Sequence, residues 1–480
     1  MLAGEGRTLK PIDESLLHDA LAYADRWVEF RQRTLRLPGV AIAVQHRDRI
    51  VLSRAYGMAD LERGVPLTTG HLFRVASNSK MFTATAVMQL VEQGALRLDD
   101  RAGDHLPWVP GGPDQLGRVT LRQLLSHSAG LVRDGEVGGF WQLERDFLNA
   151  DELRAELTGT PLVFPANTHF KYSNFGYSLV GLVVEAASGL PYNEYVQRHV
   201  IDRLGLRDTS PELDDHVRER LATGYTNDHY GLERAAIDHL DTHAMSPATG
   251  CCSTAEDLCR FGAAHFLGSG DLLSDESKRE MQHGHWKAEG APGSYGLGFD
   301  VYQVGERRMV GHGGGFPGFI TNTRFDTEDQ LAVVALTNAL DGVAGELTSG
   351  IVEILDRALK AEPRSAAADG VDLDRFTGRY WSVGGPVDIV RFGGQLLGLA
   401  PEGPSPFGWV VELTVEGPDE LRMSRAMGFA SPGERARFTF DAAGRVERVK
   451  WAAATLRPWE AYEATILPRV RATGRALPAP

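Results

Sequence analysis

The chain is poor in cysteine and contains no long apolar run. Its 480 residues include three cysteines, Cys251, Cys252 and Cys259. Adjacent cysteines pair only with strain, and the spacing fits no zinc-binding template. We therefore expect buried, unpaired thiols, which are typical of a reducing compartment. No run of about 18 apolar residues is present, so we expect no transmembrane helix.

Basic residues are also in deficit. The 50 Lys and Arg residues face 64 Asp and Glu residues, which gives a formal net charge of −14. This balance disfavours nucleic acid and anionic membranes as partners. The first twenty residues lack the apolar core of a signal peptide. We expect a cytoplasmic protein, although a secreted protein given without its leader would look similar.

Hydrophobic periodicity along the first three quarters of the chain indicates an α+β arrangement. Residues 39–57 form a predicted hairpin, and strand-like runs return between 296 and 338. Helical patterns cover 13–34, 173–189 and 254–267. Strands at both ends with helices between them predict one mixed sheet flanked by helices, an α+β arrangement.

The pattern changes near residue 361. Small and polar residues dominate there, and short strand-like runs separated by Gly- or Asp-containing turns follow. Consecutive short strands predict an antiparallel β-barrel or sandwich. We therefore divide the chain into a first domain at 1–360, a linker at 361–373 and a β-barrel domain at 374–480.

Ser77-Asn78-Ser79-Lys80 is the most informative local pattern. Ser77 and Lys80 lie one helical turn apart at the start of an apolar helix that we expect to end before Gly94. A lysine amine kept neutral by burial can help to deprotonate a serine. The alternative is a polar helix start with an N-capping serine. Alone, the pattern does not separate the two interpretations.

Tyr172-Ser173-Asn174 could supply partners for this serine. An ammonium next to Tyr172 would lower its pKa and make it a general base, and Asn174 could orient Lys80 or a substrate amide. Ser173 or Asn174 could instead simply cap the following helix. A second Tyr-x-Asn, Tyr225-Thr226-Asn227, shows that this motif is not unique.

His312-Gly313-Gly314-Gly315 follows a strand-like run and precedes another. Glycines there allow a substrate backbone to approach the strand, and the N–H of Gly315 could form an oxyanion hole with that of Ser77. The local G-x-G-x-x-G precedes a strand pattern rather than a helix, so we reject nucleotide binding. His283-Gly284-His285 lacks a further metal ligand. We expect no cofactor and no metal.

These three ordered motifs resemble those of the serine β-lactamase and penicillin-recognising superfamily, in its class C-like branch. The segment TLRQLLSHSAGL (120–131) is similar to another signature of that branch. The resemblance covers roughly residues 20–360. It implies a β-lactamase-like fold, in which an antiparallel sheet is flanked by helices and a helical subdomain. It implies Ser77 as acylated nucleophile, Lys80 as its proton partner, and Tyr172 as general base and then acid. Asn174 would contact both the substrate and Lys80.

We also expect His312 to be catalytic, supplying a hydrogen bond or partial charge near Tyr172. His312 stands where many β-lactamases carry lysine, so it holds a substrate carboxylate less well than lysine does. We therefore expect a D-aminopeptidase or similar peptidase acting through an acyl-enzyme on a small peptide or amide. A promiscuous short-chain esterase, a weak β-lactamase or D-Ala-D-Ala carboxypeptidase, and a non-enzymatic binding protein are the alternatives. Which substrate and stereochemistry the enzyme selects does not follow from the sequence.

The last hundred residues resemble the lipocalin-like β-barrel attached to some members of this superfamily. Such a barrel restricts substrate size, mediates homo-oligomer formation or only adds stability, and the sequence does not choose among these roles. Trp381, Trp409 and Trp451 fit a barrel core as well as a ligand surface.

Overall fold

A computed structural model provides the coordinates. It describes residues 13–110, 115–229, 233–287, 289–290, 292–362, 371–428 and 431–473. Most of the expected linker, residues 363–370, lies outside these ranges, as do the first twelve residues. The predicted boundaries at 360 and 373 stay a prediction.

Contacts between residues divide the chain into two compact units. Leu35–Thr348 forms one unit, and the described residues up to Thr34 join those from Ser349 onward in the other. The first helix, Glu14–Thr34, therefore groups with the C-terminal β-strands rather than with the residues that follow it. Sequence patterns did not predict this grouping.

The unit Leu35–Thr348 is built on one antiparallel sheet, as the resemblance implies, rather than on the mixed sheet that the hydrophobic pattern predicts. The hairpin Gly39–His46 and Arg49–Asp60 pairs with Leu331–Thr337, which pairs with Phe319–Asp326. The sheet continues through Arg307–Gly311, Asp300–Val304 and Ser294–Tyr295, while Val65–Pro66 forms its other edge and Gly313–Phe316 also pairs with Phe319–Asp326. Short strands outside it are Phe73–Arg74, Thr209–Ser210, Gly224–Tyr225, Ala236–Ile237 and Cys252–Ser253.

Helices cover this sheet. Gly39–His46 and Leu331–Thr337 are buried along their whole lengths, which explains their continuous apolar sequences. Helix Ala255–Ala264 approaches the sheet closely, because a Cβ on Gly262 would lie 2.3 Å from the ring of Phe325. Further helices along the chain are Ser79–Glu92, Ala102–His105, Leu121–Leu125, Ala150–Gly159, Asn174–Ser188, Tyr192–Val196, Gln197–Ile201 (a π-helix), Asp202–Leu204, Asp215–Arg220, Ser246–Thr249 and Asp275–Gln282. Helix Ala344–Leu359 spans the boundary between the two units.

Helix Ser79–Glu92 is the centre of this unit. Its residues from Ser79 to Leu90 are all buried, and the ring of Phe82 stacks on Phe261 with centroids 4.0 Å apart. Gly94, with φ of +74°, follows its end, as the sequence predicted. Ser77 lies just before the helix, in the 3-10 turn Ala76–Asn78, rather than in its first turn.

The C-terminal strands form a nearly closed eight-stranded antiparallel barrel. Each strand pairs with the next, and Trp381 and Arg457 join the first and last through two backbone hydrogen bonds of 2.6 and 2.9 Å. Its strands are Gly378–Ser382, Gly385–Phe392, Gln395–Leu399, Val410–Gly417, Glu420–Arg425, Arg435–Phe440, Val446–Trp451 and Ala454–Leu456. Helices Trp459–Thr465 and Leu467–Thr473 follow. Trp451 lies in the barrel core; likeness to lipocalins stays a prediction.

The structure bears on two features expected from the composition, the state of the cysteines and the presence of a membrane-spanning helix. All three cysteines are buried and free. Among the described residues, no helix is both long enough and apolar enough to cross a bilayer.

Trp27 is the side chain on which the packing of the first helix depends. It is fully buried, and its Nε1–H donates to the carbonyl oxygen of Pro401 at 3.1 Å. We expect Trp27→Ala to lower the free energy of unfolding by about 3–5 kcal/mol in a denaturant titration. Val383→Ala, at a side chain that is 74% exposed, serves as control and should change it by less than about 0.5 kcal/mol. Equal effects would contradict this account of the packing.

Candidate active site

The four residues of the Ser77 motif have four different structural roles. Ser77 is partly exposed, whereas Asn78, Ser79 and Lys80 are fully buried. Asn78 donates through Nδ2 to the carbonyl oxygen of Val75 at 2.8 Å and to Oγ1 of Thr321 at 3.0 Å. It also accepts from Oγ1 of Thr323 at 3.0 Å. These bonds attach the turn that carries Ser77 to strand Phe319–Asp326.

Ser79 attaches the same turn to a different element. Its hydroxyl donates to the carbonyl oxygen of Ala76 at 2.7 Å and accepts from the backbone N–H of Cys251 at 2.9 Å. Ala76 itself has a φ of +52°, a conformation that non-glycine residues rarely adopt. The side chains of the motif thus hold a locally strained backbone, which exposes Ser77 while its neighbours are buried.

Lys80 lies with its amine among three oxygen atoms. Nζ is 2.8 Å from Oδ1 of Asn174, 2.8 Å from the carbonyl oxygen of Ala248 and 3.2 Å from Oγ of Ser77. The Asn174 and Ala248 oxygens only accept hydrogen bonds, so the amine donates to both. Asn174 is held in this orientation because its Nδ2 donates to Oδ1 of Asp134 at 2.8 Å.

The hydrogen bonds around Ser77 fit a neutral lysine. Burial lowers the pKa of Lys80 well below its ordinary value, and the opposite effect of Asp134 is smaller. The hydroxyl of Tyr172 donates to Oγ of Ser77 at 2.8 Å. The serine proton is then directed away from Tyr172, and the lone pair of a neutral amine at 3.2 Å can accept it.

Tyr172 differs from our expectation in its acidity. We predicted that Lys80 would lower the pKa of Tyr172 and make it the resting base. Burial raises that pKa instead, and the hydrogen bond with Ser77 offsets only part of the effect. An ammonium is also absent from the resting site if Lys80 is neutral, so the cause that we expected is missing. Tyr172 is a proton donor in this geometry.

His127, within the segment LRQLLSHSAGL, positions Tyr172. Its Nδ1 accepts the backbone N–H of Ser173 at 3.1 Å, and the imidazole and Tyr172 rings lie 4.2 Å apart between centroids. Burial holds the pKa of His127 well below its ordinary value. Ser173 also caps helix Asn174–Ser188 by accepting the N–H of Gly176 at 2.9 Å, as predicted.

His312 is not directed at Ser77. Its Nδ1 lies 2.6 Å from the carbonyl oxygen of Gly313 and its Nε2 lies 3.0 Å from the hydroxyl of Tyr295. A carbonyl only accepts, so Nδ1 carries the proton and Nε2 accepts from Tyr295. Burial lowers the pKa of His312, which is 4% exposed, and this favours the neutral ring. Both nitrogens are therefore occupied.

Gly314 and Gly315 lie on the strand next to the Ser77 turn, but with different surroundings. A Cβ on Gly314 would lie 2.3 Å from the carbonyl oxygen of Val75 and 2.3 Å from Oγ1 of Thr321. The strand therefore approaches the turn as closely as glycine permits. Gly315 is exposed, and its Cβ would meet no heavy atom closer than 3.6 Å.

Four side chains near the site were not predicted from the sequence. Thr321 and Thr323 alternate along one strand, a signal that both face the same neighbour. Asp134 and Tyr295 lie in a loop and a two-residue strand, where no local pattern marks their partners.

The other candidate motifs lie elsewhere. Tyr225 is fully buried, and its hydroxyl donates to Oε2 of Glu62 at 2.6 Å. The rings of His283 and His285 lie 5.2 Å apart, but within the described ranges no three His, Cys, Asp or Glu side chains are arranged to hold a metal. Gly313–Phe316 leads into a strand rather than a helix, unlike a dinucleotide-binding loop.

The family is established by a comparison of the whole sequence with family models. The model described as Beta-lactamase matches residues 24–354. The chain belongs to the beta-lactamase family. Members of this family share the superfamily of serine β-lactamases and penicillin-binding proteins, so the resemblance predicted from the motifs is confirmed.

Similar proteins span several activities of this superfamily. Penicillin-binding protein 4* of Bacillus subtilis (strain 168) is 28% identical over 371 residues, 71% of this chain and 79% of that protein. An octameric penicillin-binding protein homologue from Pyrococcus abyssi superposes with a TM-score of 0.65 and 21% identity, over 91% of this chain and 99% of that one. D-amino acid amidase from Ochrobactrum anthropi SV3 gives 0.61 and 22%, over 70% and 99%. At these identities, both structures show a shared fold.

The adjacent glycines offer a test of the close approach between strand and turn. We expect Gly314→Ala to lower the free energy of unfolding by about 1–3 kcal/mol, since its Cβ meets a backbone oxygen that cannot move freely. Gly315→Ala, one residue along the same strand, has space and should change it by less than about 0.5 kcal/mol. Denaturant titrations of both variants measure the difference. Equal stabilities would mean that the strand does not contact the turn.

Proposed function

We propose that the protein is a serine hydrolase that cleaves a small amide or ester through an acyl-enzyme on Ser77. The observation that carries this proposal is the position of Ser77 Oγ, 3.2 Å from the amine of Lys80 and 2.8 Å from the hydroxyl of Tyr172. A base and an acid thus meet at one partly exposed oxygen, which is what nucleophilic catalysis requires.

In acylation, the neutral amine of Lys80 takes the proton of Ser77 as Oγ attacks the substrate carbonyl. The backbone N–H groups of Ser77 and Gly315 stabilise the negative charge that develops on the carbonyl oxygen. The turn at Ala76–Asn78 leaves the N–H of Ser77 without a helical partner, because the first N–H groups of a helix have none.

The hydroxyl of Tyr172 then protonates the leaving group. Its raised pKa keeps it protonated at neutral pH, and the ammonium of Lys80, 4.8 Å from the ring centroid, stabilises the tyrosinate that remains. In deacylation the tyrosinate takes a proton from the attacking water. Lys80 returns its proton to Oγ of Ser77 as the acyl group leaves. His312 takes no part in proton transfer in this scheme, since Tyr295 and Gly313 occupy both of its nitrogens.

Among amide and ester substrates, we favour D-amino-acid amides and short peptides. A neutral His312 whose nitrogens are occupied offers little to the carboxylate of a β-lactam. The fold is shared with a D-amino acid amidase. Asp300, whose charge acts on both Tyr172 and Lys80, is our candidate to hold the free amine of such a substrate. A short-chain esterase is the alternative.

Assembly of this chain into a homo-oligomer is supported by the octameric state of the penicillin-binding protein homologue from Pyrococcus abyssi.

A substrate panel combined with Ser77→Ala tests this function. We expect the wild type to hydrolyse D-amino-acid p-nitroanilides faster than the L-forms, and nitrocefin poorly. Ser77→Ala should lose activity by about 10⁴-fold or more and should show no acyl adduct by intact mass, with an unchanged circular dichroism spectrum. Turnover of p-nitrophenyl esters alone would favour the esterase. Undiminished activity of Ser77→Ala would refute the nucleophile assignment.

The pH dependence of kcat/KM tests the resting charges. Below the pKa of Lys80 the amine is an ammonium and cannot accept the serine proton, so activity is lost as the pH falls through that value. Because burial lowers this pKa, the acid limb should lie well below the ordinary lysine value of 10.5. Because the pKa of Tyr172 is raised, no alkaline loss is expected near 10.0. An acid limb near 10.5, with the fold intact by circular dichroism, would contradict the assignment.

A further inference from the structure

Arg133 places a cation beside Tyr172 on the solvent side. Its guanidinium carbon lies 5.7 Å from the centroid of the Tyr172 ring, and its side chain is 63% exposed. Lys80 lies near the same ring but is fully buried, with its hydrogen bonds made to internal atoms. Arg133 is therefore a cation beside the Tyr172 ring that a substrate can reach.

The position of Arg133 is fixed relative to the catalytic residues by two sets of contacts. Its carbonyl oxygen accepts the backbone N–H groups of Asn174, at 2.9 Å, and of Phe175, at 3.2 Å. Its Nε lies 3.1 Å from Oδ2 of Asp134, whose other oxygen accepts from Asn174. The residue is therefore held by the same helix start that carries Asn174, and its charge reaches both Tyr172 and Lys80.

His312, between strands Arg307–Gly311 and Gly313–Phe316, does not supply this charge. It is buried, and both of its ring nitrogens have partners. An anionic group on a substrate would therefore find its partner at Arg133, in the loop after helix Leu121–Leu125, rather than at His312.

We propose that Arg133 binds a carboxylate on the leaving group, so that the enzyme prefers substrates whose departing half is an amino acid or a short peptide. The proposal rests on the role of Tyr172 as the acid that protonates the leaving atom. That atom must lie at the Tyr172 hydroxyl, and the rest of the leaving group then passes the ring and the guanidinium. In an α-amino acid the carboxylate is two bonds from the nitrogen that is protonated, and arginine pairs with carboxylates through charge-assisted hydrogen bonds.

A purely structural role for Arg133 makes a different prediction. If Arg133 only braced Asp134 and Asn174, its loss would lower kcat/KM by the same factor for every substrate. A contact with the leaving-group carboxylate changes the ratio between anionic and neutral leaving groups. The ratio therefore separates the two roles, whatever happens to overall activity.

The test compares two acetate esters that share the acyl group and differ in the charge of the leaving phenol, 3-carboxyphenyl acetate and 3-carbamoylphenyl acetate. We expect the ratio of their kcat/KM values, anionic over neutral, to fall about fivefold to tenfold in Arg133→Gln, and Arg133→Lys to retain part of it. Arg279→Gln is the matched control, because Arg279 is also 63% exposed beside an acidic partner, Asp275. It should keep the wild-type ratio.

Two results would overturn the proposal. One is an equal loss for both esters in Arg133→Gln, and the other is an equal fall of the ratio in Arg279→Gln, which would indicate a general effect of net charge. Both esters are independent of D-amino-acid recognition, so failure of the amidase assignment would leave this ratio measurable. The acyl-enzyme proposal is tested separately, by turnover of D-amino-acid p-nitroanilides and its loss in Ser77→Ala.

Discussion

The buried amine of Lys80 is the constraint on which the site depends. Helix Ser79–Glu92 is enclosed from Ser79 to Leu90, so the lysine cannot extend its amine to water. Transferring an ammonium into such surroundings costs several kcal/mol, and a lysine responds by giving up its proton. Asn174 and Ala248 then accept its two N–H groups, and its lone pair is left for Ser77. In the proposed mechanism, the packing of the helix therefore makes this amine the base for Ser77.

The same burial determines the charge states of the neighbouring side chains. Tyr172 keeps its proton because a tyrosinate would be poorly solvated there, and His127 and His312 stay neutral for the corresponding reason. The resting site therefore holds a base and an acid without a buried ion among these four residues. The positive charge on the solvent side of the site is that of Arg133, whose exposed guanidinium is stabilised by water.

Local sequence signals predicted the residues at the site but not their protonation. The motif spacing placed Ser77 with Lys80, and the helix cap at Ser173 was readable from its neighbours, because both depend on residues within one turn. The lowered pKa that we expected for Tyr172 was wrong, because burial raises that pKa and burial depends on the whole fold. The roles of Asp134 and Tyr295 were not predicted because their partners, Asn174 and His312, lie far along the chain. The grouping of helix Glu14–Thr34 with the C-terminal strands also depends on contacts between distant residues, so local sequence patterns do not predict it.

Neutron diffraction from crystals of the resting enzyme near neutral pH would test the central claim most directly, since it locates the protons themselves. The account predicts two hydrogens on Nζ of Lys80, directed at Asn174 and Ala248. It also predicts the Ser77 hydrogen directed at Nζ and one hydrogen on the Tyr172 oxygen. Three hydrogens on Nζ, together with a bare Tyr172 oxygen, would contradict it and would make the tyrosinate the base.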